Sequence, residues 1–228
     1  MIARATYPEW PVTIPDSAHT LNGFRAWVMS DDFPQRGDIS FFDGEIYIDM
    51  SPEKYQTHNK VKAEINHVVY SLVKQLGLGD YYPDGAWLTN ETAGLSTEAD
   101  ATFASWDTLR SGRARFVPSK DDDDSIEMQG SPDWVLEVVS DTSVRKDTKQ
   151  LPDLYHRAGI REYWLIDARG ANVKFTVFFH ELAGYVAAKN VGGWVTSRVF
   201  GRQFRLERTR DQIGGWQYTL HVRETTAA

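Results

Sequence analysis

The chain has 228 residues, a formal net charge of −7 and no cysteine. That length suits one compact domain with appended strands, and the missing cysteine excludes disulfides, thiolate metal sites and a cysteine nucleophile. The acidity argues against strong non-specific binding to DNA, which favours basic surfaces that release counterions. A metal-dependent nuclease stays open, because its site needs carboxylates and its contact face can be locally basic.

Residues 1–16 read as an irregular arm carrying Pro8, Pro11 and Pro15. They hold no apolar core of signal-peptide length, and no stretch approaches the roughly 18 apolar residues that cross a bilayer. The expectation is a soluble, cytoplasmic protein with no membrane contact. Asp16 or Ser17 can cap a short helix to about Met29, with Leu21, Phe24 and Val28 on one face. Asp43-Gly44 between two apolar runs predicts a hairpin over residues 39–50.

The clearest helix follows, with Thr57 as its expected N-cap. Val61, Ile65, Val68, Val69, Leu72, Val73 and Leu76 recur at helical spacing, and Gly77 supplies the stop. Residues 81–89 and 98–105 read as strands. Residues 106–131, with the acidic run Asp121 to Asp124, read as a long mobile insertion. Residues 134–139 (WVLEVV) form a short apolar run, as expected of a buried central strand. A helix is expected within 147–158, then a second buried strand at 162–167 (EYWLID) and an antiparallel tail. The order predicts an α/β (α+β) domain with a mixed sheet flanked by helices. The expected divisions are an arm at 1–16, the main domain at 17–200 and a C-terminal strand extension at 201–228.

Glu137 is the most informative residue. It lies inside an apolar strand, where an ionised carboxylate is costly unless it is paired or metal-bound. Alternation puts Asp133, Val135 and Glu137 on one face, and Asp100, Thr102 and Ala104 on one face of an earlier strand. If Asp100 and Glu137 project from neighbouring strands, a hard divalent ion such as Mg²⁺ is the expected bridge. A lysine nearby would stabilise phosphoryl charge, and Lys146 and Lys149 lie just beyond Glu137. The competing reading of Glu137 is a structural carboxylate paired with Arg or Lys, and of the lysines a solvated turn.

Several stretches resemble the Uma-type putative restriction endonuclease family of the PD-(D/E)xK nuclease superfamily. They are DGEIYIDMSP at 43–52, His58, Asp100, SPDWVLEVVSDTS at 131–143, Asp147, Tyr155 and AGIREYWLID at 158–167. The resemblance covers about residues 17–200 and implies a restriction-endonuclease-like mixed sheet with flanking helices. It implies a Mg²⁺-dependent DNA endonuclease, with Mn²⁺ as an alternative ion, in which Asp100 and Glu137 ligate the metal. Glu45 and His58 match further polar positions that edge the site. The superfamily lysine falls at Val139, and the family's alternative falls at Leu151. Lys149 is the nearest substitute, and Lys146 is the other. A nuclease-fold module that binds nucleic acid or a protein without cutting is the runner-up. DNA is the expected substrate, and a homodimer is expected because two strands need two active sites.

Overall fold

The turn Asp43-Gly44 has positive φ at both residues, 53° and 83°, as a two-residue hairpin turn requires. It joins β1 (Asp38–Phe42) to β2 (Glu45–Asp49) with Phe42 opposite Glu45 and Asp38 opposite Asp49. The computed structural model describes residues 12–118 and 124–225, and this hairpin forms one edge of its first sheet.

Further strands are β3 (Gly79–Pro83), β4 (Trp87–Asn90), β5 (Leu95–Glu98), β6 (Ala101–Ser105), β7 (Ala114–Pro118) and β8 (Ser125–Gly130). Beyond them lie β9 (Trp134–Val138), β10 (Glu162–Asp167), β11 (Lys174–Glu181), β12 (Gly184–Ala187), β13 (Val195–Ser197), β14 (Arg202–Arg210) and β15 (Trp216–Glu224). They form two six-stranded sheets, β2-β1-β5-β4-β8-β7 and β12-β11-β10-β9-β6-β3, and a three-stranded sheet β13-β14-β15. Both larger sheets are mixed, through the parallel pairs β4–β8 and β9–β10. The mixed α+β expectation holds, with two sheets where one was expected.

The run at 81–89 and the run at 98–105 each split between the two sheets. The chain leaves β3 for β4 through Asp84, and leaves β5 for β6 through Ala99-Asp100. The two crossings touch, since the Asp84 amide donates to the Asp100 carbonyl at 3.1 Å.

Among the described residues, four α-helices flank the sheets: α1 (Leu21–Val28), α2 (Lys60–Leu76), α3 (Trp106–Arg110) and α4 (Leu151–Arg157). Thr20, not Asp16 or Ser17, caps α1, because Asp16–His19 forms a separate 3₁₀ turn. Gly77 ends α2 in the left-handed region at φ 62°. The expected N-cap Thr57 lies inside a π-helical turn, Tyr55–Asn59, and α4 is likewise preceded by a π-helical turn, Lys146–Gln150.

Residues 106–131 are not one mobile insertion. Their described part folds as α3 and the β7–β8 hairpin, and β8 joins the first sheet beside β4. Ala114 and Met128 hold the hairpin down, since both are buried in a cluster with Ala104 of β6. Of the acidic run, Asp121 to Asp123 lie outside the described residues, as do the arm's first 11 residues. The third sheet begins at Val195, so the expected boundary at residue 200 falls within it.

One face of β9, with Trp134, Leu136 and Val138, packs with α2, β6 and the third sheet. The other carries Val135 against Leu151, Leu154 and Tyr155 of α4. At its first end, Asp133 is buried and serves as an anchor. It accepts from the Ser105 amide at 2.7 Å, Thr108 Oγ1 at 2.9 Å and Arg113 at 3.2 Å, and pairs with Arg161 at 2.8 Å. Removing this carboxylate leaves a buried polar network unpaired. Asp133→Ala is therefore expected to cost about 3–5 kcal/mol in urea unfolding. An unchanged unfolding midpoint would contradict the anchoring role.

Candidate active site

The register of β6 against β9 pairs Ala101 with Leu136 and Thr102 with Val135. Continued by one residue, it sets Asp100 opposite Glu137. Both carboxylates then share the face of Thr102 and Val135, where directly opposed positions lie about 4.5–5.5 Å apart. The Val138 amide donates to Asp100 Oδ2 at 2.6 Å, which pins Asp100 to the end of β9. Glu137 Oε1 accepts from the Tyr155 hydroxyl of α4 at 2.5 Å.

The two carboxylates line a cavity of about 430 Å³ between the sheets. Its wall includes Asp38 and Asp49 from the open end of the hairpin, Glu53 and His58 before α2, Asp84 and Glu98 at the crossings, and Lys146, Asp147 and Arg169. Burial drives the Glu137 pKa well up, and Asp100 and Asp147 add repulsion. Burial also raises Asp100, against the pull of Lys62 and His58. Asp147 is pushed up to about 7, chiefly by burial and against the attraction of Lys146.

Two buried lysines offset this charge. Lys62 lies 3.3 Å from Asp100, 2.7 Å from Glu53 and 2.8 Å from Asp84. Lys146 pairs with Asp38. Burial opposes the charge on both, yet their pKa values rise: Asp100 leads the attraction at Lys62, and Asp38 followed by Glu137 at Lys146. His58 sits with Nδ1 3.3 Å from Glu53 and Nε2 3.8 Å from Asp100. The His58 imidazole first and Lys62 after it hold Glu53 down to about 2, against burial.

The wider π-helical turn, with its i→i+5 bonding, buries Lys146 and Asp147 together and leaves Lys149 exposed, outside the cavity lining. The structure thus brings Lys146, and not the expected Lys149, to the cavity. Glu45 is also corrected: it is exposed at the turn end of the hairpin, while Asp38 and Asp49 at the opposite end reach the cavity. Asp133 shares the Glu137 face but lies four residues away, about 13 Å along a strand.

Sequence reasoning missed Lys62, Glu53, Asp38 and Asp84. Lys62 left a usable signal, since it follows His58 by four residues and stands at helical spacing with Ile65 and Val69, as a cation within an apolar stripe. Asp84 reads as an ordinary turn residue beside Pro83 and Gly85.

The residues present fit a hard divalent cation. Two carboxylates meet on one face, and Asp147 Oδ1 is buried without a hydrogen-bond partner while its Oδ2 accepts from Ser143. Oxygen donors of this kind suit Mg²⁺. A second donor set, Glu53, His58 and Asp100, has ligand atoms within 4.8 Å of one another. Lys62 already lies in that corner, 3.3 Å from Asp100 and 2.7 Å from Glu53.

The fold is a mixed α+β domain with an acidic cavity lined from both larger sheets. The family model described as "Uma2: Putative restriction endonuclease" matches residues 23–208. The chain belongs to that family. Among solved structures, it is similar to a putative nuclease of the DUF820 group from Anabaena variabilis ATCC 29413. The TM-score is 0.59 at 18% identity, over 79% of this chain and 90% of the other. That likeness carries the fold. No curated protein matches the chain.

The raised Asp147 pKa sets a pH dependence. The unfolded chain releases this proton near 3.8 and the folded one near 7. The group's contribution is therefore most favourable below about 3.8, declines as pH rises to about 7, and stays at its least favourable above that. In metal-free protein, Asp147→Asn is expected to raise the unfolding midpoint more at pH 8 than at pH 4. An equal gain at both would contradict the shift.

Proposed function

We propose that the chain is a divalent-metal-dependent DNA endonuclease that hydrolyses phosphodiester bonds. The observation that carries this reading is the meeting of Asp100 and Glu137 on one face of adjoining strands, inside a cavity that also holds the buried ammonium of Lys146. Asp100 and Glu137 would hold Mg²⁺, or Mn²⁺ in its place. When bound, such an ion lowers the pKa of its water and stabilises charge on a phosphoryl oxygen.

The chain's own groups have distinct parts. The Tyr155 hydroxyl and the Val138 amide orient the two carboxylates. Lys62 limits repulsion around Asp100. Lys146 stays protonated and stabilises negative charge on the phosphate. Asp147, which lines the cavity with one unpartnered oxygen, can take a proton from water. His58 can orient a phosphate or a water from the opposite wall. A homodimer would supply one site to each strand of a duplex.

A second reading is a module on the same fold that binds nucleic acid or a protein without cutting. It draws on Val139 and Leu151, buried apolar residues at both positions where the family resemblance implies a lysine.

Plasmid nicking with Mg²⁺ or Mn²⁺ separates the two. Nicking is expected in the native chain and should vanish in Glu137→Gln and Asp100→Asn. Equal nicking in both variants rejects the metal site, and no nicking by the native chain favours the binding module. In the same assay Lys146→Met should slow nicking by at least about 100-fold, while Lys149→Ala leaves it unchanged. The reverse ranking would restore Lys149.

A further inference from the structure

The seam between α2 and β15 holds a second cleft of about 350 Å³, lined by Lys60, Glu64, Asp211, Trp216, Gln217 and Tyr218. None of the residues that line it lines the cavity. The seam is tied to the cavity wall on two sides. Gln56, in the π-helical turn that carries His58, accepts from the Trp216 amide at 2.7 Å and from the Tyr218 hydroxyl at 2.9 Å. Arg208 donates to the carbonyls of Ala168, Gly170 and Ala171, on both sides of the cavity residue Arg169.

Beside this cleft, two guanidinium groups lie over the Trp216 ring, Arg208 at 4.0 Å and Arg210 at 3.3 Å. Arg208 is committed to the three carbonyls. Arg210 is exposed and donates to the Gly214 carbonyl at 2.7 Å, and no described carboxylate forms an ion pair with it. A guanidinium stacked on an indole keeps its edge N–H groups available, and their fork matches phosphate. Residues 198–225 carry six arginines against three carboxylates, a local positive excess in a chain of net charge −7. This is the charge an acidic protein needs in order to seat a polyanion beside a carboxylate-lined cavity.

We propose that this Arg210–Trp216 shoulder is a second contact for DNA, gripping the phosphodiester backbone outside the cavity. The proposal rests on the nuclease reading above.

The test is fluorescence anisotropy of a labelled duplex against increasing salt, with the native chain, Arg210→Ala, Arg210→Glu and Arg110→Ala. Arg110 is an exposed arginine of α3 that lines neither cleft. Arg210→Ala is expected to weaken binding several-fold and to lower the slope of log affinity against log salt by about 1. Arg210→Glu should weaken it further, and Arg110→Ala should match the native chain. Native affinity and slope in both Arg210 variants, with the native chain still nicking DNA, overturns the shoulder and spares the nuclease reading. An Arg210→Glu variant that instead splits an oligomer in sedimentation assigns the face to a second copy of the chain and also overturns it. A native chain that neither binds nor nicks DNA removes both proposals.

Discussion

The structure depends on how the chain passes from one sheet to the other between β5 and β6. That crossing leaves Asp100 just beyond the ladder of β6, opposite Glu137 and hydrogen-bonded to the Val138 amide. A buried carboxylate is costly alone, and two that repel are costlier. The surroundings answer this with buried cations: Lys62 reaches Asp100 from α2, and Lys146 pairs with Asp38 close enough to attract Glu137. Asp84 at the neighbouring crossing binds Lys62 and backs onto the Asp100 carbonyl. The cavity is thus a consequence of topology before it is a consequence of any single residue.

Strand β9 divides two tasks along one face. Asp133 at its first end is saturated by an amide, a hydroxyl and two arginines, which is what a carboxylate used for anchorage requires. Glu137 at its last end keeps a tyrosine partner and an open cavity. The difference lies in the partners: fixed cations at one end, neighbouring acids at the other. Both helices that approach the cavity begin with a π-helical turn, and those turns carry His58, Lys146 and Asp147. Such turns are often found at functional sites.

Much of this was legible in the sequence. Asp43-Gly44 marked its hairpin, the apolar spacing of Val61 to Leu76 marked α2, and WVLEVV marked a central strand. Period-two alternation correctly put Asp100 and Glu137 on faces that could meet, because register in a buried sheet is set by the same apolar pattern that the sequence displays. What the pattern could not reveal was which strand belongs to which sheet. Residues 81–89 and 98–105 each read as one strand, since a crossing through Asp84 or Ala99-Asp100 breaks no propensity rule. The π-helical turns were equally hidden, and with them the choice between Lys146 and Lys149. Glu45 came from the family resemblance, and the hairpin carries it at the turn end, away from the cavity. Lys62 was overlooked because a lysine within an amphipathic helix is ordinarily a surface residue.

The central claim is that Asp100 and Glu137 share one divalent cation. Calorimetric titration of Mn²⁺ into the native chain, Asp100→Asn and Glu137→Gln, without DNA, tests it most directly. The account predicts a saturable site in the native chain that either substitution removes. Retained binding in both variants would contradict it, and would move the metal to the corner formed by Glu53 and His58 or out of the cavity altogether.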